Sequence, residues 1–342
     1  MILARSLLAS TKFRAEKSSP RASGPHDNIL KSTPRTGVVH RLYRRTVPDA
    51  VRQRLWQLRH IGTGPVIRNW TASLFVRARR PIACVPIGGF RLHVDLRDAG
   101  VGRPVYCLRQ YEPSETAAVR RIVKPGMTVV DIGANVGYFT ILAAHLAGSA
   151  GRVIAVEPDP HNFSLLTKSL RTNGLRNVIP LNVALGAAPG TARLFCSDAN
   201  FGDHRLYPES TGDERPAIEV PVETLDNLLA ANGVRRIDFA KMDVQGFEHT
   251  VLRGMMQTLA SSPEFCLLTE FWPGGIEQAG GSPLEFYNTL VNSGLRSFVL
   301  EAEGAETAIA LNDVMKRIAA KFRVDCPDGA FLNLLFRKVP AS

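Results

Sequence analysis

The 342-residue chain has room for one large α/β domain and an N-terminal extension, and its 45% hydrophobic and 21% charged residues are ordinary for a globular protein. No apolar stretch approaches the roughly 18 residues of a membrane-spanning helix. The net charge of +11 is uneven, with 17 Lys and Arg against 3 Asp and Glu in residues 1–80 but 25 against 28 in the rest, so the basic character says little about residues 81–342.

Residues 1–47 are rich in Ser, Pro, Arg and Lys without periodicity and are expected to be disordered. Arg5 interrupts the short apolar start, which excludes a secretory signal core, although an Arg-rich, acid-poor start also resembles a mitochondrial presequence. Adhesion to an anionic membrane is the functional alternative to a solvated tail. Residues 48–113 read as an extension. A helix is expected over 48–61, where Val51, Leu55 and Leu58 share a face. A second amphipathic element, Trp70 to Val76, ends in Arg77, Arg79 and Arg80; such a basic pair suits packing on the main domain or lying on a membrane surface. Alternation across Gly88-Gly89 predicts a hairpin over 82–96.

The main domain is expected over 114–342, opening with Ser114 as N-cap of a helix over 115–123. Its organising stretch is Met127-Thr-Val-Val-Asp131-Ile-Gly133-Ala-Asn135-Val-Gly137-Tyr, running on to Val153-Ile-Ala-Val-Glu157-Pro158-Asp159. This reads as strand, tight turn, helix over 138–146, strand: half of a nucleotide-binding α/β sheet, which binds ligands at the carboxyl ends of its strands. The dinucleotide fingerprint G-x-G-x-x-G is absent. Asn135 stands between Gly133 and Gly137, and Asn tolerates left-handed torsions. Asp131 before the turn would repel a pyrophosphate but suits an ammonium and a sulfonium. Glu157 is placed to accept hydrogen bonds from two ribose hydroxyls. S-adenosylmethionine carries those groups and no phosphate, so it is the expected cofactor ahead of a nicotinamide or flavin.

A helix over 161–172 should follow, then a strand over 178–185, an antiparallel pair over 191–196 and 217–222 around a polar insert, and a helix over 224–231. Further strands are expected over 237–242, 265–270, 296–300 and 331–337, with helices over 247–259 and 283–293. Alternating strands and helices imply a mostly parallel sheet with right-handed crossovers. The five cysteines are odd in number, spread out and without C-x-x-C, which predicts buried free thiols in a reducing compartment.

The segments Tyr111-Glu112-Pro113, Asp131-Ile-Gly-Ala-Asn-Val-Gly-Tyr-Phe-Thr, Ala155-Val-Glu-Pro-Asp, Asn182-Val-Ala-Leu-Gly, Thr224-Leu-Asp and Lys241-Met-Asp-Val-Gln-Gly246 occur in order. As a set the chain resembles the FkbM family of S-adenosylmethionine-dependent methyltransferases over roughly residues 95–300. Gln245 departs from the Glu usual there. The resemblance implies the Rossmann-like class I methyltransferase fold, a seven-stranded mostly parallel sheet of order 3-2-1-4-5-7-6 with the last strand antiparallel and helices on both faces. It also implies O-methylation, often of sugars or natural products.

Methyl transfer from a sulfonium is an in-line displacement, and a hydroxyl acceptor gains from a base. Asp243, at the end of the strand over 237–242, is the first candidate for the acceptor side; the alternative is that it caps a helix or orients Lys241. His204, in the polar insert, is the second, and Glu270, at the end of the strand over 265–270, the third. Asp131 should bind the methionine amine, the backbone at Gly133 and Asn135 should approach the carboxylate, Glu157 should take the ribose hydroxyls, Asp159 or the segment Val183-Ala184 should flank adenine, and Gly137 and Pro158 complete the expected cofactor-binding set. No Asp/Asn-Pro-Pro-aromatic segment, Pro-Cys nucleophile or zinc spacing is present. Asp198, Asp203, Asp243 and Glu270 leave a magnesium-assisted route open. The expected function is a cytoplasmic or membrane-peripheral O-methyltransferase for a hydroxyl of a glycan, glycolipid or secondary metabolite. N- or carboxyl-methylation, or a non-catalytic S-adenosylmethionine-binding scaffold at a membrane, are the alternatives.

Overall fold

The computed structural model describes residues 63–208, 214–324 and 331–338. The tail over 1–47, the helix over 48–61 and Cys326 lie outside them. Two compact units divide the chain after Ile67. The described part of the first is the opening turn of helix α1 (Thr63–Arg77).

In the second unit, β1 (Ile82–Ile87) and β2 (Phe90–Asp95) form the expected hairpin, with Ile87 opposite Phe90. Gly88 and Gly89 have φ of +61° and +95°, the left-handed pair that a two-residue hairpin turn demands. Helix α2 (Gly102–Leu108) was not expected; the buried carboxylate of Asp98 holds its entry by accepting from the N–H groups of Gly100 and Gly102 at 2.9 and 2.8 Å. Helix α3 (Pro113–Ile122) starts before the expected Ser114 cap. Pro113 takes the first helical position, where the missing N–H costs nothing, and Glu112 precedes it at φ 36°.

Strand β3 (Thr128–Ile132), helix α4 (Tyr138–Ala147), strand β4 (Arg152–Val156) and helix α5 (Pro160–Thr172) follow the sequence reading. The strand expected over 178–185 is broken in two. β5 (Val178–Leu181) stays beside β4, whereas β6 (Ala184–Leu185) pairs in a separate three-stranded sheet with β8 (Ala217–Glu223), which also pairs with β7 (Gly190–Phe195). Asn182 makes the break: its amide donates to the carbonyls of Glu157 and Pro158 at 2.8 and 3.0 Å. Helix α6 (Leu225–Ala231), capped by Thr224, leads to β9 (Phe239–Met242). The single helix expected over 247–259 is two, α7 (Glu248–Arg253) and α8 (Met256–Ser261), separated at Gly254. Then come β10 (Cys266–Phe271), the unexpected short α9 (Pro273–Gln278), α10 (Pro283–Asn292), β11 (Leu295–Leu300), β12 (Glu306–Ala308), α11 (Leu311–Val324) and β13 (Leu332–Lys338).

The main sheet has the order β12-β11-β13-β10-β9-β3-β4-β5. Its last seven members are the expected order, with β13 antiparallel to both neighbours; the eighth, β12, is a three-residue addition at the edge. Residues along β3 alternate between two cores: Val129 joins Val153, Ile141 and Leu92 on one face, and Val130 and Ile132 join Ile154, Leu225 and Val251 on the other. A sheet covered on both faces requires such continuous apolar strands. Of the four described cysteines, all free, Cys107 and Cys266 are buried and Cys196 is half-buried; Cys84 is exposed on β1, against expectation, because its strand alternates outward there.

A Cβ on Gly254 would lie 2.0 Å from the carbonyl oxygen of Gly186, whereas one on Gly190 would meet nothing within 4 Å. Gly254→Ala is therefore expected to lower the unfolding free energy in urea by about 1–3 kcal/mol, with Gly190→Ala near wild type. Equal effects of the two substitutions would show that the close approach does not decide where the helix breaks.

Candidate active site

The turn after β3 and the turn after β4 lie side by side because β3 and β4 pair in parallel, Asp131 opposite Ala155. Asn135 adopts φ 50°, flanked by Gly133 at +78° and Gly137 at +91°. The first glycine is there for space as well as torsion: a Cβ on it would lie 2.0 Å from the carbonyl oxygen of Asp243. The buried carboxylate of Glu157 joins the two turns, accepting from the Asn135 N–H at 2.7 Å and from the Asp159 N–H at 2.9 Å. Burial pushes it up to about 8 in spite of those donors.

A cleft of about 570 Å³ opens here, floored by Gly133, Asn135, Glu157 and Pro158 and walled by Ala184 and Phe201. Phe201 belongs to the polar insert, which is pinned over the cleft by three side chains. Its N–H donates to Asp98 at 3.0 Å, and its carbonyl accepts from the amides of Asn162 at 3.0 Å and Asn135 at 3.3 Å. Asn162 Oδ1 is buried without a partner and so offers an acceptor at the cleft wall.

Asp131 is buried at the end of β3, accepting from Thr140 Oγ1 at 2.5 Å; burial raises its pKa although Lys241 pulls it down. Asp159 caps α5 by accepting from the Asn162 N–H at 2.7 Å. His204 lines the cleft, but its Nδ1 accepts from the Ser197 N–H at 3.0 Å. Burial lowers its pKa, which favours the neutral ring, and with Nδ1 occupied by that N–H the proton belongs on Nε2. Asp198, Asp203, Asp243 and Glu270 do not converge. Among the described residues the one convergent group of metal-ligating type is Asp159, Cys196 and His204, and the Asn162 and Ser197 N–H groups already occupy acceptor atoms of two of them.

Asp243 lines this cleft and also a second cavity of about 390 Å³ that contains Glu112, Glu115, Lys241 and Glu270. Its Oδ2 accepts from Lys241 Nζ at 3.0 Å and its Oδ1 from Gln245 Nε2 at 2.8 Å. Burial alone would raise its carboxyl, but Lys241 and these hydrogen bonds hold it below the usual range. Asp243 is thus an ion-paired carboxylate that orients Lys241, and it caps no helix. Burial would likewise discharge Lys241, yet Asp243, Glu112 and Asp131 raise its pKa and keep it cationic. Burial, with Asp243 next, lifts Glu270 well above its ordinary value.

Glu112 was missed as a candidate although it was visible as the acid of Tyr-Glu-Pro. Its Oε2 lies 3.9 Å from Lys241 Nζ, and burial pushes it up to about 7 against the pull of that lysine. Glu248 was also missed; its Oε1 accepts from the N–H groups of Val244 and Gly246 and so holds the turn carrying Gln245. Gln245, in the left-handed region at φ 53°, fills the place of the expected acid as a donor to Asp243.

Residues 131–285 match the family model described as the methyltransferase FkbM domain. The chain is 31% identical over 155 residues to methyltransferase sdnD of Sordaria araneosa, covering 37% of this chain and 60% of that protein. It is 31% identical over 135 residues to hexuronic acid methyltransferase AglP of Haloferax volcanii, covering 38% and 51%. It is 29% identical over 167 residues to 31-O-demethyl-FK506 methyltransferase FkbM of Streptomyces tacrolimicus, covering 39% and 61%. The matches thus span 51–61% of these relatives. Among solved structures, a putative methyltransferase from Streptococcus mutans in complex with SAH superposes with a TM-score of 0.40 at 10% identity, over 67% of this chain and 99% of that one.

The raised pKa of Glu157 fixes the sign of a pH effect. A carboxyl lifted from 4.5 to about 8 in the folded state binds more protons there than in the unfolded chain, so its contribution is present below pH 4.5 and is lost as pH rises through about 8. Glu157→Gln has no such loss. Thermal melts of the ligand-free proteins are expected to show wild type falling relative to Glu157→Gln between about pH 5 and about pH 8. Parallel curves would mean that Glu157 is charged in the folded state throughout.

Proposed function

We propose that this chain, which carries an FkbM methyltransferase domain over residues 131–285, is an S-adenosylmethionine-dependent O-methyltransferase for a hydroxyl of a glycan, glycolipid or secondary metabolite. The observation that carries this reading is the meeting of two unlike cavities at Asp243, which is ion-paired to Lys241 in the second.

The first cavity is rich in acceptors and unsuited to phosphate. Glu157, the unpartnered Asn162 Oδ1 and nearby Asp131 favour hydrogen-bond donors and positive charge. These residues fit S-adenosylmethionine: Glu157 would take ribose hydroxyls, Asp131 the amino group, and the wall of Ala184 and Phe201 the adenine. Bound there, the cofactor supplies an electrophilic methyl group.

The second cavity holds four acids, and three of them, Glu112, Asp243 and Glu270, are shifted to different degrees, the pattern that assigns acid and base roles. Asp243 is committed to Lys241, and Glu270 is a neutral donor able to orient a hydroxyl. Glu112, titrating near pH 7, takes the acceptor proton, and Lys241 stabilises the carboxylate before transfer. A carboxylate-lined cavity also suits the many O–H donors of a sugar or polyol. The name of the 31-O-demethyl-FK506 enzyme agrees with oxygen as the methylated atom.

Calorimetric titration with S-adenosylmethionine and, separately, NAD is expected to give binding of the former alone; binding of NAD, or of neither, overturns the cofactor assignment. With methyl-labelled cofactor, label should appear on hydroxylated glycans or lipids, and label found only on amines or carboxylates would refute O-methylation. Once an acceptor is in hand, Glu112→Gln should lower kcat on the order of 10²–10⁴-fold and leave cofactor affinity near wild type. Wild-type kcat/KM should rise with pH through about 7, as Glu112 loses its proton, and the variant should lack that rise.

A further inference from the structure

Helix α1 uses one flank and leaves another bare. Ala72 is fully buried, and the neighbouring positions tie the helix to α2 and its surroundings: Arg68 Nε donates to the Cys107 carbonyl at 2.7 Å, and Thr71 Oγ1 lies 3.2 Å from the Tyr106 hydroxyl. Arg103 reaches back to Ser73 Oγ at 3.4 Å. Trp70 and Leu74, four residues apart, project together on the other side of the helix with Phe75 beside them, and they are 66%, 43% and 45% exposed. Three large apolar side chains, one of them a tryptophan, thus face outward on a helix anchored from behind.

What covers them is indicated by charge. Arg77 closes the helix, and Arg79 and Arg80 follow at once; all three are exposed. The preceding residues 1–62 carry 13 Lys and Arg against 3 Asp and Glu. An apolar flank bearing Trp and Phe and bordered by arginines matches the layering of a bilayer surface. Aromatic rings settle at the headgroup level, aliphatic side chains reach the acyl boundary, and guanidinium groups pair with lipid phosphates. Among the described residues no helix is long and apolar enough to cross a membrane, so the contact is peripheral.

We propose that the outer flank of α1, formed by Trp70, Leu74 and Phe75 with Arg77, Arg79 and Arg80, docks the protein on an anionic lipid bilayer. The surface is independent of the methyl-transfer reading and stands or falls without it. It would hold the enzyme at an interface while the cofactor cleft, built on the sheet ends, stays free.

The test uses the full chain in co-sedimentation with vesicles of phosphatidylcholine alone and of phosphatidylcholine with phosphatidylglycerol. Wild type should pellet with the anionic vesicles, less so as salt is added, and should stay in solution with the neutral ones. The triple substitution Trp70→Ser, Leu74→Ser, Phe75→Ser lies on the exposed flank and should keep the wild-type melting temperature while losing most of the pelleting. Reversing Arg77, Arg79 and Arg80 to Glu should weaken the partition on the order of fivefold or more per residue. Failure of wild type to bind anionic vesicles overturns the proposal. So does full binding by the triple serine variant, which would assign adhesion to residues 1–62 alone. A dimer of wild type that the serine variant abolishes, without a change in lipid binding, would give the flank to a second copy of the chain and equally refute it.

Discussion

Two hydrogen bonds on one buried carboxylate set the geometry of the cofactor cleft. Glu157 stands at the end of β4 and accepts the N–H of Asn135 from the preceding turn and the N–H of Asp159 from its own. A left-handed Asn135 presents its N–H to that carboxylate, and the two positive-φ glycines beside it let the chain pass close to β9 and α5. Burying Glu157 is costly, and its raised pKa measures that cost. The cost is offset by the two backbone donors and, in the proposed complex, by hydroxyl donors of the cofactor. The carboxylate therefore shapes the loop and, in the proposed complex, would also recognise what the loop encloses.

A second constraint is the charge of Lys241. One buried cation faces Asp131 on the cofactor side, Asp243 between the cavities and Glu112 on the far side. It also lies 4.7 Å from the centre of the Phe139 ring, a further favourable contact for a desolvated ammonium. Without the lysine, these carboxyls would all move upward together and lose their distinct roles. With it, the partner in direct contact is held below the usual carboxylate range, the one at 3.9 Å titrates near neutrality, and Glu270 is lifted well above its ordinary value. Burial raises all three, and contact with the lysine and the neighbouring carboxylates then separates them.

This division also explains what could be read from the sequence. The turn over Gly133, Asn135 and Gly137 was legible because its torsions are local demands that only certain residues meet. Asp131 and Glu157 were legible because strand ends in order predict where a ligand lies. The seven-stranded order followed from the resemblance, and the apolar strands agree with it. What stayed hidden was tertiary. The break after Leu181 depends on an Asn182 amide reaching back to Glu157 and Pro158, and the break at Gly254 on the nearness of Gly186. The tautomer of His204 is set by a backbone N–H seven residues earlier, which no pattern of residue types encodes. Glu112 was in plain view, but its burial and its distance from Lys241 exist only once the chain preceding α3 has met the sheet.

The hairpin and α2 also belong to the architecture of the site. Asp98 accepts from the N–H groups that open α2 and, with the same carboxylate, from the N–H of Phe201. Phe201 in turn receives the amides of Asn135 and Asn162 on its carbonyl, and its ring meets His161 edge-on, where His161 is bonded to Asp95 at the end of β2. Through α2, which also anchors α1, the elements before the main sheet thus hold the insert that walls the cleft. Each joint is a buried or half-buried hydrogen bond, and leaving such a group unpaired costs more than the bond itself contributes. The insert's closeness to the cleft is therefore a property of the whole unit, and the segment preceding β3 helps to hold the wall of that cleft.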